Sequence, residues 1–157
     1  MVAIFDILQK KKLNISNNTT ICHNYHDFLK CDTDVINICT PNYLHADMAI
    51  DCLNADKHIV IEKPMALTLD DADAMIEACD NNGIKLFVVK QNRFNVPVVQ
   101  LRKALENGRF GKLILGTVRV RWCRPQRYYD LSDWRGTYSH DGGALTNQGI
   151  HHIDLLR

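Results

Sequence analysis

The chain has 157 residues, 46% hydrophobic and 24% charged, a balance suited to a soluble globular protein with a real core. Its 19 basic and 18 acidic side chains leave a net charge of +1, which excludes the electrostatic footprint of a nucleic-acid or anionic-membrane binder. No apolar run approaches a membrane span, and MVAIFDILQKKK carries its charges on the wrong side for a signal peptide, so a cytoplasmic location is expected.

Residues 2–7 form a short apolar run containing Asp6, and 10–18 read as a helix remnant and loop. TTICH then suggests a weak strand and NYHDFLK a short helix. Residues 34–41, DVINICTP, predict a buried strand ended by proline. Leu44, Met48 or Ala49, and Leu53 follow at helical spacing. HIVIEKP is the next strand, and its unbroken run Ile59, Val60, Ile61 predicts cover on both faces. Thr68 caps an acidic first turn, after which Ala72, Met75, Ile76 and Cys79 share a helix face that stops at Gly83. Residues 84–94 give another strand and 95–108 another helix.

Strands alternating with helices predict βαβ units and a parallel sheet, a Rossmann-type α/β unit over 1–110. The pattern then breaks. Residues 112–122 alternate Leu113, Leu115, Val118 and Val120 with Arg119 and Arg121, as in a half-exposed strand of a second sheet. A polar, aromatic loop and the start of a helix complete a second unit, 111–157, too small to close a core alone, so the chain reads as cut at its carboxyl end. The six cysteines lack a C-x-x-C pair and are expected reduced; Cys22, His23 and His26 have no second ligand pair, so no metal is expected.

Ligands of a doubly wound sheet bind outside the carboxyl ends of its strands. Asp6, then Thr40, Pro41 and Asn42, then Glu62 and Lys63, then Gln91, Asn92 and Arg93 all fall there. Asp6 suits a ribose 2′-hydroxyl or the cap of a following helix equally well. Lys63, at the mouth of an apolar strand, is partly desolvated and suited to proton transfer, with Glu62 placed to hold its ammonium; a surface ion pair is the plainer alternative. Asn147, His151 and Asp154 at i, i+4, i+7 share a helix face, where a histidine can be oriented for acid–base work or simply be satisfied. A metal set of His151, His152 and Asp154 is discounted because the side chains diverge.

NICTPNYLHADMAIDCLNADKHIVIEKPMAL followed by DGGALTNQGIHHID resembles the Gfo/Idh/MocA oxidoreductases in the order and spacing of both motifs. The resemblance implies a Rossmann domain followed by an α/β domain with an open antiparallel sheet. It implies NAD as cofactor, met by Asp6, Thr40, Pro41, Asn42, His45, Glu62, Lys63 and Gln91. It makes Lys63 catalytic and substrate-orienting, and His151 its acid/base partner. Substrate contacts fall on Lys63, Arg93, Arg124, Asn147 and His151. Asn147 stands where many members have Asp, which removes a carboxylate relay there. KQNRFN, WCRPQRYYD and DWRGT narrow the likeness to members that oxidise the 3-hydroxyl of UDP-N-acetylglucosaminuronate in bacterial surface-polysaccharide synthesis. Arg124, Arg127 and Arg135 among Tyr128, Tyr129 and Trp134 would then read a uronate or pyrophosphate, or else form a solvated or subunit-contact edge. The implied partner is a small sugar nucleotide, with no nucleic acid or membrane, and the full-length protein is expected to be a homo-oligomer. Another sugar or inositol dehydrogenase, and a catalytically silent fragment, stand as alternatives.

In that family plan the chain starts at the second strand, without the first strand and the G-x-G-x-x-G turn that cradles pyrophosphate. Tight NAD binding by this chain alone is therefore not expected, and direct pairing of residues 2–7 with 34–40 is one way to replace the missing strand. Asp6 would repel a 2′-phosphate and favour NAD over NADP, an effect that Lys10, Lys11 and Lys12 would blunt.

Overall fold

Short apolar and β-branched runs build two sheets of parallel strands, with helices where the apolar spacing changes to that of a helix. The computed structural model describes residues 2–6 and 17–157. Strand β1 (Val2–Phe5) pairs with β2 (Thr19–Cys22) in the register Val2↔Thr19 to Phe5↔Cys22. Helix α1 (Tyr25–Leu29) follows, its first turn capped by the Asn24 side chain. Strands β3 (Val35–Ile38), β4 (His58–Ile61) and β5 (Leu86–Val88) form a second sheet in the order β3-β4-β5. Helices α2 (His45–Asn54) and α3 (Leu69–Asn82) are its crossovers, and α4 (Val96–Glu106) follows β5. Parallel strands joined through helices make this the Rossmann-type α/β fold.

The core is one-sided. Ile36, Ile38, Ile59 and Ile61 pack against Ala49, Cys52 and Leu53 of α2 and Met75 and Cys79 of α3. On the opposite face Val60 is only half-buried and Phe87 is 56% exposed. This corrects the expectation of cover on both faces: among the described residues, the helices that pack on β3 and β4 lie on one face. Ile76, placed on the buried stripe of α3, is instead 47% exposed. The punctuation is as the residues dictate. Thr68 Oγ1 accepts from Asp71 N at 3.1 Å, and Gly83 ends α3 at φ 66°.

Three expectations are corrected. Residues 112–122 are exposed and irregular and form no ladder, because among the described residues no strand lies beside them to take their hydrogen bonds. Residues 2–5 pair with β2 and not with 34–40. Residues 144–157 are not one regular helix: a π-helical turn (Leu145–Gly149) precedes α7 (Ile150–Leu156). Between them and α4 stand only two single-turn helices, α5 (Gln126–Tyr129) and α6 (Tyr138–Asp141). Ile7, the lysines at 10–12 and the remainder of 7–16 lie outside the described residues. The facing edges of the two sheets leave a cavity of about 760 Å³, walled by Phe5 and Asp6 on one side and Ile36, Ile38 and Thr40 on the other.

Candidate functional site

Strand β4 ends at Ile61 and delivers Glu62 and Lys63 to the sheet's carboxyl edge, where the Lys63–Pro64 peptide is cis. Thr40, Pro41 and Asn42 arrive at the same edge from β3. His45 binds these two turns together from behind. It is fully buried, with Nδ1 2.7 Å from Pro64 O and Nε2 3.0 Å from Thr40 O. It therefore sits beneath the surface that the two turns present.

Lys63 is drawn across to the second half of the chain. Its Nζ donates to Asn147 Oδ1 at 2.7 Å and to Asn147 O at 2.8 Å. Glu62 does not hold the ammonium, as the sequence suggested; its Oε2 accepts from the Lys63 main-chain N–H at 3.2 Å. Burial lowers the Lys63 pKa, an effect opposed by the charges of Glu62 and Asp141. Two of three ammonium protons are engaged, which leaves one for a ligand oxygen.

His151 lies at the start of α7, 6% exposed, and its Nδ1 has no partner among the described residues. Burial, then the positive charge of Lys63, then that of Lys90, lower its pKa, so the imidazole is neutral at physiological pH. Asp154 was expected to share a helix face with it. Instead its carboxylate is gripped by Arg93, with Nε to Oδ2 at 2.7 Å and Nη2 to Oδ1 at 2.6 Å. That pairing, chiefly the hydrogen bond, lowers the Asp154 pKa and raises that of Arg93. Arg93 therefore anchors α7 to the turn after β5 and has its charge already matched. Gln91 is exposed on that same turn (Gln91–Phe94).

The loop after residue 122 builds a ladder of alternating cations and rings. The Arg124 guanidinium sits 4.5 Å from Trp122 and 4.9 Å from Tyr128. Arg135 sits 5.1 Å from Tyr128 and 4.6 Å from Trp134, and its Nη1 donates to Tyr128 Oη at 3.0 Å. The Nε atoms of both arginines are buried without a partner among the described residues. Arg135, Gln126, Thr137 and Asn147 line a hollow of about 420 Å³, and Arg135 is close enough to Lys63 to depress its pKa.

Residues 1–90 match the model of the oxidoreductase family with an NAD-binding Rossmann fold, and residues 98–157 match the Gfo/Idh/MocA C-terminal domain. The chain belongs to the Gfo/Idh/MocA oxidoreductase family. Among curated members it is 35% identical to levoglucosan dehydrogenase of Pseudarthrobacter phenanthrenivorans, over 80% of this chain and 33% of that protein. It is 31% identical to myo-inositol 2-dehydrogenase of Thermotoga maritima, over 80% of this chain and 36% of that one. Among solved structures, the WlbA dehydrogenase of Bordetella pertussis, in complex with NADH and UDP-GlcNAcA, is 40% identical with a TM-score of 0.87, over 99% of this chain and 46% of that one. The Chromobacterium violaceum WlbA dehydrogenase, with the same ligands, is 36% identical with a TM-score of 0.86, over 99% and 46%. The chain thus spans less than half the length of these relatives.

Two residues beside Lys63 and His151 were given no role in the sequence reading. Asp141, 4% exposed, is the hub of a hydrogen-bond cluster, and Lys90 lies close enough to His151 to act on its charge. The signal for Asp141 was its place at the head of DGGALTNQGIHHID, just before Gly142 and Gly143. The cofactor wall fits part of an NAD molecule. Thr40 Oγ1 is buried and unpartnered among the described residues, at the rim of the 760 Å³ cavity that also holds Asp6. No glycine precedes Gly83 in the sequence, so the phosphate-cradling turn is not among this chain's residues.

Proposed function

We propose that this chain is part of an NAD-dependent dehydrogenase that oxidises the 3-hydroxyl of UDP-N-acetylglucosaminuronate. Its chief support is the 40% identity, over 99% of the chain, to a protein crystallised with NADH and UDP-GlcNAcA. Asp6, Thr40 and Pro41 would hold NAD along the cavity wall, with Asn42, Glu62 and Gln91 at the same strand edge. Bound NAD supplies the hydride acceptor. The remaining N–H of Lys63 donates to the sugar hydroxyl and orients it. Neutral His151 takes the hydroxyl proton at an imidazole nitrogen as the carbon loses its hydride, leaving a ketone. Arg124 and Arg135, with unpartnered Nε atoms, suit the carboxylate or pyrophosphate of an anionic sugar nucleotide. On this reading the protein would act in surface-polysaccharide synthesis in the cytoplasm, and the full-length protein is expected to be a homo-oligomer.

The curated relatives favour a second reading, a dehydrogenase of an uncharged sugar or an inositol. The test is absorbance at 340 nm, using the chain extended at its amino end by a strand, glycine-rich turn and helix. NADH should form from UDP-N-acetylglucosaminuronate. NADH from myo-inositol or levoglucosan, with none from the uronate, would sink the substrate assignment.

A further inference from the structure

Asp141 has no part in the chemistry proposed above, yet it is the most heavily bonded carboxylate near it. Its Oδ2 accepts from Gly136 N at 2.9 Å. Its Oδ1 accepts from Asn42 Nδ2 at 3.0 Å and also from Asn147 Nδ2. Asn42 Nδ2 is shared with the Asp141 main-chain oxygen, at 3.2 Å. Asn42, Asp141 and Asn147 are 7%, 4% and 6% exposed, so water does not compete for these bonds.

The donor and acceptor inventory makes this cluster directional. A carboxylate only accepts and an ammonium only donates. Asn147 lies between the two, with Nδ2 toward Asp141 and Oδ1 toward Lys63. Turning its amide over would set Nδ2 against the ammonium and Oδ1 against the carboxylate, losing both bonds. We propose that Asp141 is a positioning residue: it fixes the direction of the Asn147 amide, and so the seat of the Lys63 ammonium. The same carboxylate ties that seat to Asn42 in the turn after β3, joining the cofactor edge to the substrate side. The role assigned to Lys63 rests on the function proposed above; the geometry does not, and it is tested without turnover.

The test is nuclear magnetic resonance on the whole chain. The Lys63 ¹³Cε signal is followed through its titration, and the Asn147 side-chain NH₂ signals are followed by hydrogen exchange. The charged or titratable groups acting on Lys63 are Glu62, Asp141, Lys90 and Arg135, with His151 coupled to it, so each variant is read against the parent. In Asp141→Asn, the midpoint for Lys63 should fall by roughly half a pH unit or more, since a stabilising charge is lost and the amide is free to turn. An unchanged midpoint with unchanged Asn147 signals in a folded variant would overturn the role. Where that variant fails to fold, the parent decides: Asn147 NH₂ protons should exchange at least about tenfold more slowly than those of exposed Asn107. Equal exchange would show an amide that Asp141 does not hold.

Discussion

At the scale of single residues, Lys63 and His151 differ from ordinary surface residues through burial, which lowers the pKa of each. Their consequences for stability run in one direction. His151 has a folded pKa below 6.5, so as pH falls through 6.5 the unfolded chain takes up the proton first, and folding loses stability until the folded value is passed. Urea titrations should therefore show the midpoint falling below pH 6.5, and His151→Gln should flatten that fall relative to the parent. Equal pH slopes in the two proteins would remove burial of a neutral imidazole from the account. For chemistry, Lys63→Met keeps the apolar stem and deletes the donor. In the extended protein of the 340 nm assay it should lower kcat by about 10²- to 10³-fold, the usual weight of a hydrogen-bond donor aimed at a reacting oxygen. A loss under about threefold would show that the ammonium is a bystander.

Elements were legible where a local rule decides them. Thr68 and Gly83 bound α3 because a hydroxyl can cap and a glycine can turn left-handed, and both facts are in the sequence. Thr68→Ala should cost about 1 kcal/mol in urea unfolding. The strand mouths that hold Lys63 and Thr40 were legible for the same reason: apolar runs stop at polar or turn residues. What was not legible depends on partners. Residues 112–122 have strand-like alternation, yet a strand needs a neighbour. The helix that carries Asn147 and His151 opens with a π turn, which shifts the phase that the spacing assumed, and Asp154 is paired with Arg93 from a distant turn. Gly142 shows how tightly that junction is built. It sits at φ +80°, and a Cβ there would lie 2.9 Å from both Leu67 Cδ2 and Thr146 Cγ2. Gly142→Ala should therefore cost about 1–2 kcal/mol from the left-handed backbone, with the close contacts adding to it. Because Gly142 joins Asp141 to the turn bearing Asn147, the Lys63 midpoint should move in the same variant.

For the whole molecule, the distribution of burial divides the chain into parts of unequal strength. The buried cluster draws on β3, β4, α2 and α3, with Leu86 and Val88 of β5 against it, whereas β1 and β2 contribute a single buried residue, Cys22. The cavity of about 760 Å³ lies between β1 and β3, and among the described residues no ladder ties the two sheets together. Local opening free energy follows the buried contacts and backbone bonds that must break. The β1–β2 pair should open without disturbing the larger sheet. In hydrogen exchange, amides of residues 2–5 and 19–22 should exchange at least about tenfold faster than those of Ile36, Ile59 and Ile61, a gap of about 1.4 kcal/mol or more in opening free energy. Equal protection would mean that the two sheets open as one unit. The division matters for the proposed chemistry. Asp6 rides on the weaker pair, while Thr40, Lys63 and their support from His45 belong to the stronger sheet. A ligand bridging Asp6 and Thr40 would span the cavity and protect both sheets. Exchange at residues 2–5 should then slow on addition of NAD to the extended protein, before any substrate is present.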